Sequence, residues 1–348
     1  MKILGIETSC DETSAAVVEE TGDAAKPWAI QSNVIASQVP IHREWGGVVP
    51  ELASRQHIRD ICGVVERALL DANATWTDVG AIGVTQGPGL VGSLLVGVAF
   101  AKAAAAAAGL PLVAVHHLAG HIESLVLQNG EMPLPAVVLV VSGGHTSLYL
   151  VEHAGEYQLL SRTRDDAAGE AYDKVAKLLG LGYPGGPVID RLARTGNDRA
   201  IQLPTMRLTH ADRNAPELKG DLDFSFSGLK TAVLRHVRSR GSLSESEVAD
   251  VCATFQRLVV TSLIERLFDA ARRHQAKSVG IAGGVSANSR LRAELRDRGL
   301  RREIPTFLPS LQLSTDNAAM IAAAGLRKYR AGHTAAFDLN ADAALPLG

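Results

Sequence analysis

The chain has 348 residues, 46% of them hydrophobic, and a formal net charge of −2. Its length exceeds what one core usually organises and favours two lobes. The near-zero charge excludes a whole-chain cationic field, so a nucleic acid would have to meet a local patch. Three widely spaced cysteines, Cys10, Cys62 and Cys252, make neither a CxxC pair nor a disulfide framework, which fits a reducing compartment. The apolar part of MKILGIETS is too short for a signal peptide or a membrane span, so a cytoplasmic protein without membrane association is expected.

In chain order, KILGI (residues 2–6) is predicted to be a strand, followed by the polar turn ETSCDETS and a second apolar run. Pro50 and Glu51 open a long amphipathic helix that carries Leu52, Ile58, Ile61, Val64, Val65 and Leu69 at helical spacing. The strand AIGVTQ leads into GPGLVGSLLVGVAFAKAAAAAAG, where alanine favours helix and Gly109 stops it. PLVAVHH reads as a strand entering another helix. AVVLVVSGGHTSLYLVE reads as strand, glycine turn, strand, and AAGEAYDKVAKLLGL as a helix. Residues 196–226, with Pro204 and Pro216, read as a long polar excursion. A long helix covers about 246–274, AKSVGIAGGVSANSRLRAELRDRG gives strand, glycine turn and helix, and a last helix runs from about Asp316 to Arg330. This alternation argues for an α/β fold. Strands paired around a polar turn occur at residues 2–19 and again at 136–152, the mark of a duplicated lobe.

Three glycine or polar turns stand in matched contexts: Thr8–Ser14, Val141–Thr146 and Ala282–Asn288. Glycine bares backbone N–H groups and makes an anion-binding concavity, although a single Gly-Gly turn is commonly a plain hairpin. No Walker A loop is present. Asp173 and Lys174 fall on a helix that ends in a glycine-proline turn, and Asp190 on the next helix; the two aspartates are placed either to accept hydrogen bonds from ribose hydroxyls or to face solvent. His117 and His121 share one helix face at a spacing that suits a metal, while Leu118 stands where zinc peptidases carry their water-activating glutamate. Asp316, or an acidic group near Glu123, would complete a two-histidine, one-carboxylate set with open coordination positions. The arginines of RHVRSR (235–240) and of the segment 290–303 suit either phosphate contact or a solvated helix surface.

GIETSCDETSAAVV, PELASRQHI, GPGLVGSLLVG, HHLAGH, VSGGHT, GEAYDKVAKLLGLGYPGGP, DFSFSGLKTAV, GGVSAN and TDNAAMIA occur in this order, and the likeness they carry covers residue 3 to about 330. Together they closely resemble the TsaD family of tRNA N6-adenosine threonylcarbamoyltransferases, in its bacterial form. The resemblance implies an actin-like, sugar-kinase and Hsp70-type ATPase architecture, with two RNase H-like lobes around a central cleft. On that pattern the lobes are expected at 1–110 plus about 320–348, and at 111–319. It implies transfer of threonylcarbamoyl from threonylcarbamoyl-AMP to N6 of the adenosine 3′ of the anticodon, in tRNAs reading codons that begin with A, with release of AMP. Carried over by position, the metal ligands fall on His117, His121 and Asp316, with iron(II) expected and zinc the alternative. Substrate contacts fall on Val140, Val141, Ser142, Gly143 and Gly144, and on Asp173, Gly186, Asp190 and Asn288. Asp11 and Glu12 match an acidic turn and are the candidates for a general base. The resemblance also implies partners: tRNA, a paralogous TsaB-type subunit and a TsaE-type P-loop ATPase. The rival readings are an ATP-dependent small-molecule kinase on the same fold, and a metalloprotease, which would need the glutamate that Leu118 replaces.

Overall fold

The opening apolar run forms β1 (Lys2–Glu7), and the polar turn after it returns the chain as β2 (Glu12–Glu20), antiparallel to β1. Side-chain alternation splits both strands between two layers: Leu4, Ile6, Ala15 and Val17 face one core, and Ile3, Ala16 and Val18 another. The structure, a computed structural model, describes residues 1–205 and 220–348. These divide into two units: Met1–Met132 with Ala154–Tyr157 and Pro309–Gly348, and Pro133–His153 with Gln158–Leu308.

In the first unit, β3 (Trp28–Ser37) pairs antiparallel to β2, and the short helix α1 (Val39–Arg43) follows. Helix α2 (Pro50–Asp71) starts at the proline, with Glu51 in its first turn. Its buried stripe runs through Ala53, His57, Ile61, Val64, Val65, Ala68 and Leu69. Ile58, expected on that stripe, is exposed, and His57 takes the inward place because Thr13 and Cys10 supply polar partners for it. Strand β4 (Val79–Gly87), helix α3 (Val91–Ala108) and strand β5 (Leu112–His116) continue the sheet, whose order is β3-β2-β1-β4-β5. Among the described residues α3 is long and apolar enough to cross a membrane, yet its Val98, Ala101 and Ala105 pack into the core of this unit. It ends at Gly109 in the left-handed conformation, as expected. Helix α4 (His117–Asn129) leaves directly from β5.

The second unit repeats the plan. Strands β6 (Ala136–Val141), β7 (Thr146–Val151) and β8 (Gln158–Arg162) run antiparallel in succession. Helices α5 (Ala168–Leu178), α6 (Gly185–Ala193), α7 (Ser227–Arg240) and α8 (Glu245–Arg273) come next. Strand β9 (Ser278–Ala282), helix α9 (Ser289–Arg302) and strand β10 (Thr306–Phe307) complete the order β10-β9-β6-β7-β8, with β9 parallel to both neighbours. Each sheet thus joins two antiparallel pairings to two parallel ones, so the duplication read from residues 2–19 and 136–152 extends to whole sheets. The expected excursion at 196–226 includes residues 206–219, which lie outside the described residues.

The chain then returns to the first unit through α10 (Leu311–Ser314) and α11 (Ala318–Arg330). Two expectations need correction. The first unit extends to Met132, takes in Ala154–Tyr157 and resumes for its last stretch at Pro309, where 110 and about 320 are expected, because β5 pairs with β4 and carries α4 with it. Helix α11 begins at Ala318, not Asp316: Asn317 is its extended N-cap, and its Oδ1 accepts from Met320 N at 3.1 Å.

Candidate active site

The junction of β5 with α4 builds the first element of the site. His116 ends the strand and caps the helix: its Nδ1 accepts from Leu118 N at 3.1 Å, and its Nε2 lies 3.0 Å from the Leu345 carbonyl, to which it donates. Burial pushes its pKa down to about 4, so this histidine is a neutral structural residue. His117 and His121 follow one turn apart, with ring centroids 4.7 Å from each other. Asp316 approaches both: its Oδ1 lies 3.6 Å from His117 Nε2 and 3.2 Å from His121 Nε2. One ligand atom from each residue falls within 4.8 Å of the other two.

These residues fit a divalent cation. His121 is 0% exposed, and neither of its ring nitrogens makes a hydrogen bond of proper direction despite the nearby carboxylate. A buried imidazole with unsatisfied nitrogens is costly unless something else engages it, and a cation would. Glu123, the other region considered for a third ligand, is taken up elsewhere: Arg327 grips its carboxylate at 2.6 and 3.0 Å, and Trp28 Nε1 donates to it at 3.2 Å. Leu118, at the peptidase glutamate's position, is buried.

Sequence reasoning misses Glu7, the last residue of β1. It is 0% exposed. Its Oε2 lies 3.0 Å from His117 Nδ1 and accepts from Thr85 Oγ1 at 2.7 Å, while its Oε1 accepts from Ser9 N. This carboxylate makes Nδ1 the protonated nitrogen and leaves Nε2 as the ligand atom beside Asp316. Burial opposes charge on His117, but Asp316 and Glu7 outweigh it and hold its pKa up at about 9. The carboxylates that suit a cation therefore also suit a proton there. His121 goes the other way: burial lowers its pKa, and Asp316 offsets that only in part. The one signal for Glu7 in the sequence is a charged residue closing an apolar strand.

The turn between β1 and β2 carries Asp11, and Glu12 opens β2. The Asp11 carbonyl accepts from Gln38 N at 2.9 Å, and Glu12 Oε1 accepts from Ser37 Oγ at 3.2 Å. Burial, then the charges of Asp11 and Asp316, raise Glu12 well above the usual carboxylate range. His57 steadies the turn from α2, with Nε2 2.9 Å from the Cys10 carbonyl and Nδ1 2.7 Å from Thr13 Oγ1. Two glycines of GPGLVGSLLVG let the turn lie close. A Cβ on Gly97 would stand 2.4 Å from Thr8 Oγ1, and one on Gly89 2.6 Å from the Ser9 carbonyl. Their role is close packing beneath the acidic turn.

The second unit holds the other expected residues. Val140 and Val141 end β6, and Ser142, Gly143 and Gly144 turn the chain into β7. This turn is braced by Ser142 N donating to the His145 carbonyl at 2.8 Å and by Gly169 N donating to the Ser142 carbonyl at 3.1 Å. Side chains at Gly143 and Gly144 would meet nothing, whereas a Cβ on Gly283, at φ +89°, would stand 2.5 Å from the Val141 carbonyl. The two glycine turns of this unit therefore pack on each other while one stays open. Asp173 on α5 accepts from Gly185 N at 2.7 Å, and Gly186 sits open in the first turn of α6. Asp190 and Asn288 are joined through Gln256 of α8, another residue the sequence does not single out. The basic segments separate as well. In α9, Arg290 pairs with Glu294 and Asp198, and Arg301 with Asp297; α7 carries Arg235, Arg238 and Arg240 without an acid in its own sequence.

Fold and site together define a class: an actin-like ATPase fold bearing a His-His-Asp cluster. Solved structures agree on the fold alone. Full-length HypF in its phosphate- and nucleotide-bound form matches with a TM-score of 0.58 at 12% identity, over 95% of this chain and 47% of that one. The (R)-2-hydroxyglutaryl-CoA dehydratase component A of Acidaminococcus fermentans matches with a TM-score of 0.54 at 17% identity, over 95% and 99%. Residues 29–323 match the family described as TsaD, tRNA N6-adenosine threonylcarbamoyltransferase. A curated protein of that name from Anaeromyxobacter sp. (strain Fw109-5) is 52% identical over 348 residues, 100% of both chains. Another from Moorella thermoacetica is 51% identical, over 99% of this chain and 97% of that one. The chain belongs to the TsaD family of transferases.

Proposed function

We propose that this chain transfers the threonylcarbamoyl group of threonylcarbamoyl-AMP to N6 of the adenosine 3′ of the anticodon in tRNAs reading A-starting codons, and releases AMP. The observation that carries the reading is the His117–His121–Asp316 cluster, with its unsatisfied buried imidazole, on a family-matched fold. His117 would hold the cation through Nε2, His121 through a ring nitrogen, and Asp316 through its carboxylate. When bound, iron(II), with zinc the alternative, supplies positive charge and open positions for the threonylcarbamoyl oxygens. Glu7 keeps His117 turned toward the site.

The chain's own groups do the rest. Bare N–H groups of Gly143 and Gly144, in the turn that follows Ser142, suit the phosphate of the adenylate. Asp173, Gly186, Asp190 and Asn288 suit its nucleoside. The adenine N6 lone pair attacks the carbamoyl carbon, the carbon–oxygen bond to the phosphate breaks, and AMP leaves. The amine proton passes to Asp11 or Glu12; burial raises the Glu12 carboxyl, which makes it the better base for this step. Leu118 fits the same reading: the helix position from which a peptidase glutamate would turn water against the adenylate is apolar. The three free cysteines support a cytoplasmic setting. A TsaB-type paralogue and a TsaE-type ATPase complete the proposed assembly.

The test is direct. The chain, with those partner subunits, threonylcarbamoyl-AMP and unmodified tRNA, should yield threonylcarbamoyladenosine by nucleoside mass spectrometry. An adenosine of unchanged mass, with partners of demonstrated activity, would refute the proposal.

A further inference from the structure

A chain of hydrogen bonds in the second unit has a fixed direction. Leu291 N donates to Asn288 Oδ1 at 3.0 Å, as the cap of α9. A backbone N–H can only donate, so this end settles which way the Asn288 amide faces. Asn288 Nδ2 then donates to Gln256 Oε1 at 2.8 Å, and Gln256 Nε2 donates to Asp190 Oδ1 at 3.1 Å. An ionised carboxylate only accepts, so the far end is settled too. Asp190 also accepts from Ser289 Oγ at 2.8 Å and from Ser289 N at 3.3 Å. Gln256 is 3% exposed, in the middle of α8, and reaches both α6 and α9. Its amide must accept at one end and donate at the other.

We propose that Gln256 is a positioning residue for the nucleotide end of the site. Its amide fixes Asn288 so that the remaining Nδ2 hydrogen is presented as a donor to an acceptor on the bound nucleotide, and it holds Asp190 at the same time. This rests on the reading above, in which Asn288 and Asp190 serve an adenylate. It adds a residue that touches neither substrate nor cation. A buried amide in a satisfied chain is strongly direction-specific, because reversing any member sets donor against donor or acceptor against acceptor.

Gln256→Glu is the discriminating variant. While the new carboxyl group is protonated it keeps the whole chain: its carbonyl accepts from Asn288 and its O–H donates to Asp190. As pH rises, two carboxylates must share that one proton and then lose it. The ionisable groups around this point are Asp190 on α6 and Arg194 at its C-cap, 3.5 Å apart, Tyr172 on α5, Cys252 on α8, and Arg290 and Glu294 on α9. Arg290 is committed to Glu294 and Asp198. The isosteric exchange Gln256→Glu with Asp190→Asn restores the bond between these two positions with its direction reversed. The amide nitrogen introduced on α6 stands where Asp190 Oδ1 stood and donates to the carboxylate introduced on α8; the Ser289 hydroxyl, which bonds that same atom, turns from donor to acceptor, and the amide oxygen still accepts from Ser289 N.

The experiment is calorimetric titration of AMP into the full chain at about pH 6 and about pH 8, with each variant expressed relative to the unaltered chain so that the titration of AMP itself cancels. Gln256→Glu should bind close to normally at the lower pH and roughly 10-fold more weakly at the higher, the loss expected when one buried charge-assisted bond is broken. The exchange variant should remove that pH dependence. Two results overturn the proposal alone: a Gln256→Glu ratio that does not change with pH, or an exchange variant whose ratio changes with pH as much as that of the single one. An unaltered chain that does not bind AMP overturns it together with the function it rests on.

Discussion

Glu7 and His57 are buried ionisable residues that touch no substrate in this account, and each sets a neighbour's geometry. Glu7→Gln keeps the shape of the side chain but weakens the acceptor for His117 Nδ1–H. Outer carboxylates of this kind typically matter about 10–100-fold, so the affinity for iron(II) or zinc, measured by chelator competition, should fall by about that factor. An unchanged affinity in a folded variant would remove Glu7 from the site. His57 donates to the Cys10 carbonyl and accepts from Thr13 in its neutral form, and burial lowers its pKa below 6.5. Below its unfolded value the unfolded chain takes up the proton first, so stability falls with falling pH. His116, pushed down to about 4, acts with the same sign, and the window runs from about 6.5 down to about 4. The thermal midpoint should therefore drop across that window, and His57→Gln should make the drop shallower. An identical slope in the variant would contradict the assignment.

At the scale of elements, α11 brings Asp316 to the histidines, and it does so by lying against β1 at Gly5. A Cβ there would stand 2.4 Å from the Ala318 carbonyl and 2.7 Å from Ala322 N. Those are backbone atoms, so the helix itself must shift. Gly5→Ala should cost about 1–3 kcal/mol. It should also lower metal retention, because Asp316 lies just ahead of the helix start. Denaturant melts and metal analysis on one preparation would read both; loss of stability with full metal retention would separate the packing from the site. Much at this scale is legible in the sequence. Paired strands around polar turns are visible because alternation and turn residues are local signals. The edge of the first unit is not, because hydrogen bonding of β5 to β4 is decided far along the chain. The sequence groups Asp316 with a helix start but sets that start too early, since Asn317 competes better for the cap. Glu7 and Gln256 are invisible for a related reason: a glutamate at a strand end and a glutamine in an amphipathic helix both read as solvent-facing until a buried partner is known.

For the whole molecule, each unit carries its own part of the proposed reaction. The first unit holds His117, His121, Asp316, Asp11 and Glu12; the second holds the glycine turns and Asp173, Gly186, Asp190 and Asn288. The order of motifs along the chain lets both sets be proposed from sequence, and each unit has a five-stranded sheet of the same plan. The family match supports the transfer reading over a phosphoryl transfer on the same fold, for which a histidine cluster has no use. The most direct measurement is threonylcarbamoyladenosine formed in tRNA, followed by nucleoside mass spectrometry, for the unaltered chain beside Asp316→Ala and the double variant His117→Ala with His121→Ala. The account predicts product with the unaltered chain and a rate lower by about 100-fold or more, about 2.7 kcal/mol in barrier, with either variant. Full modification by the double variant, or no product from the unaltered chain with active partners, would contradict it.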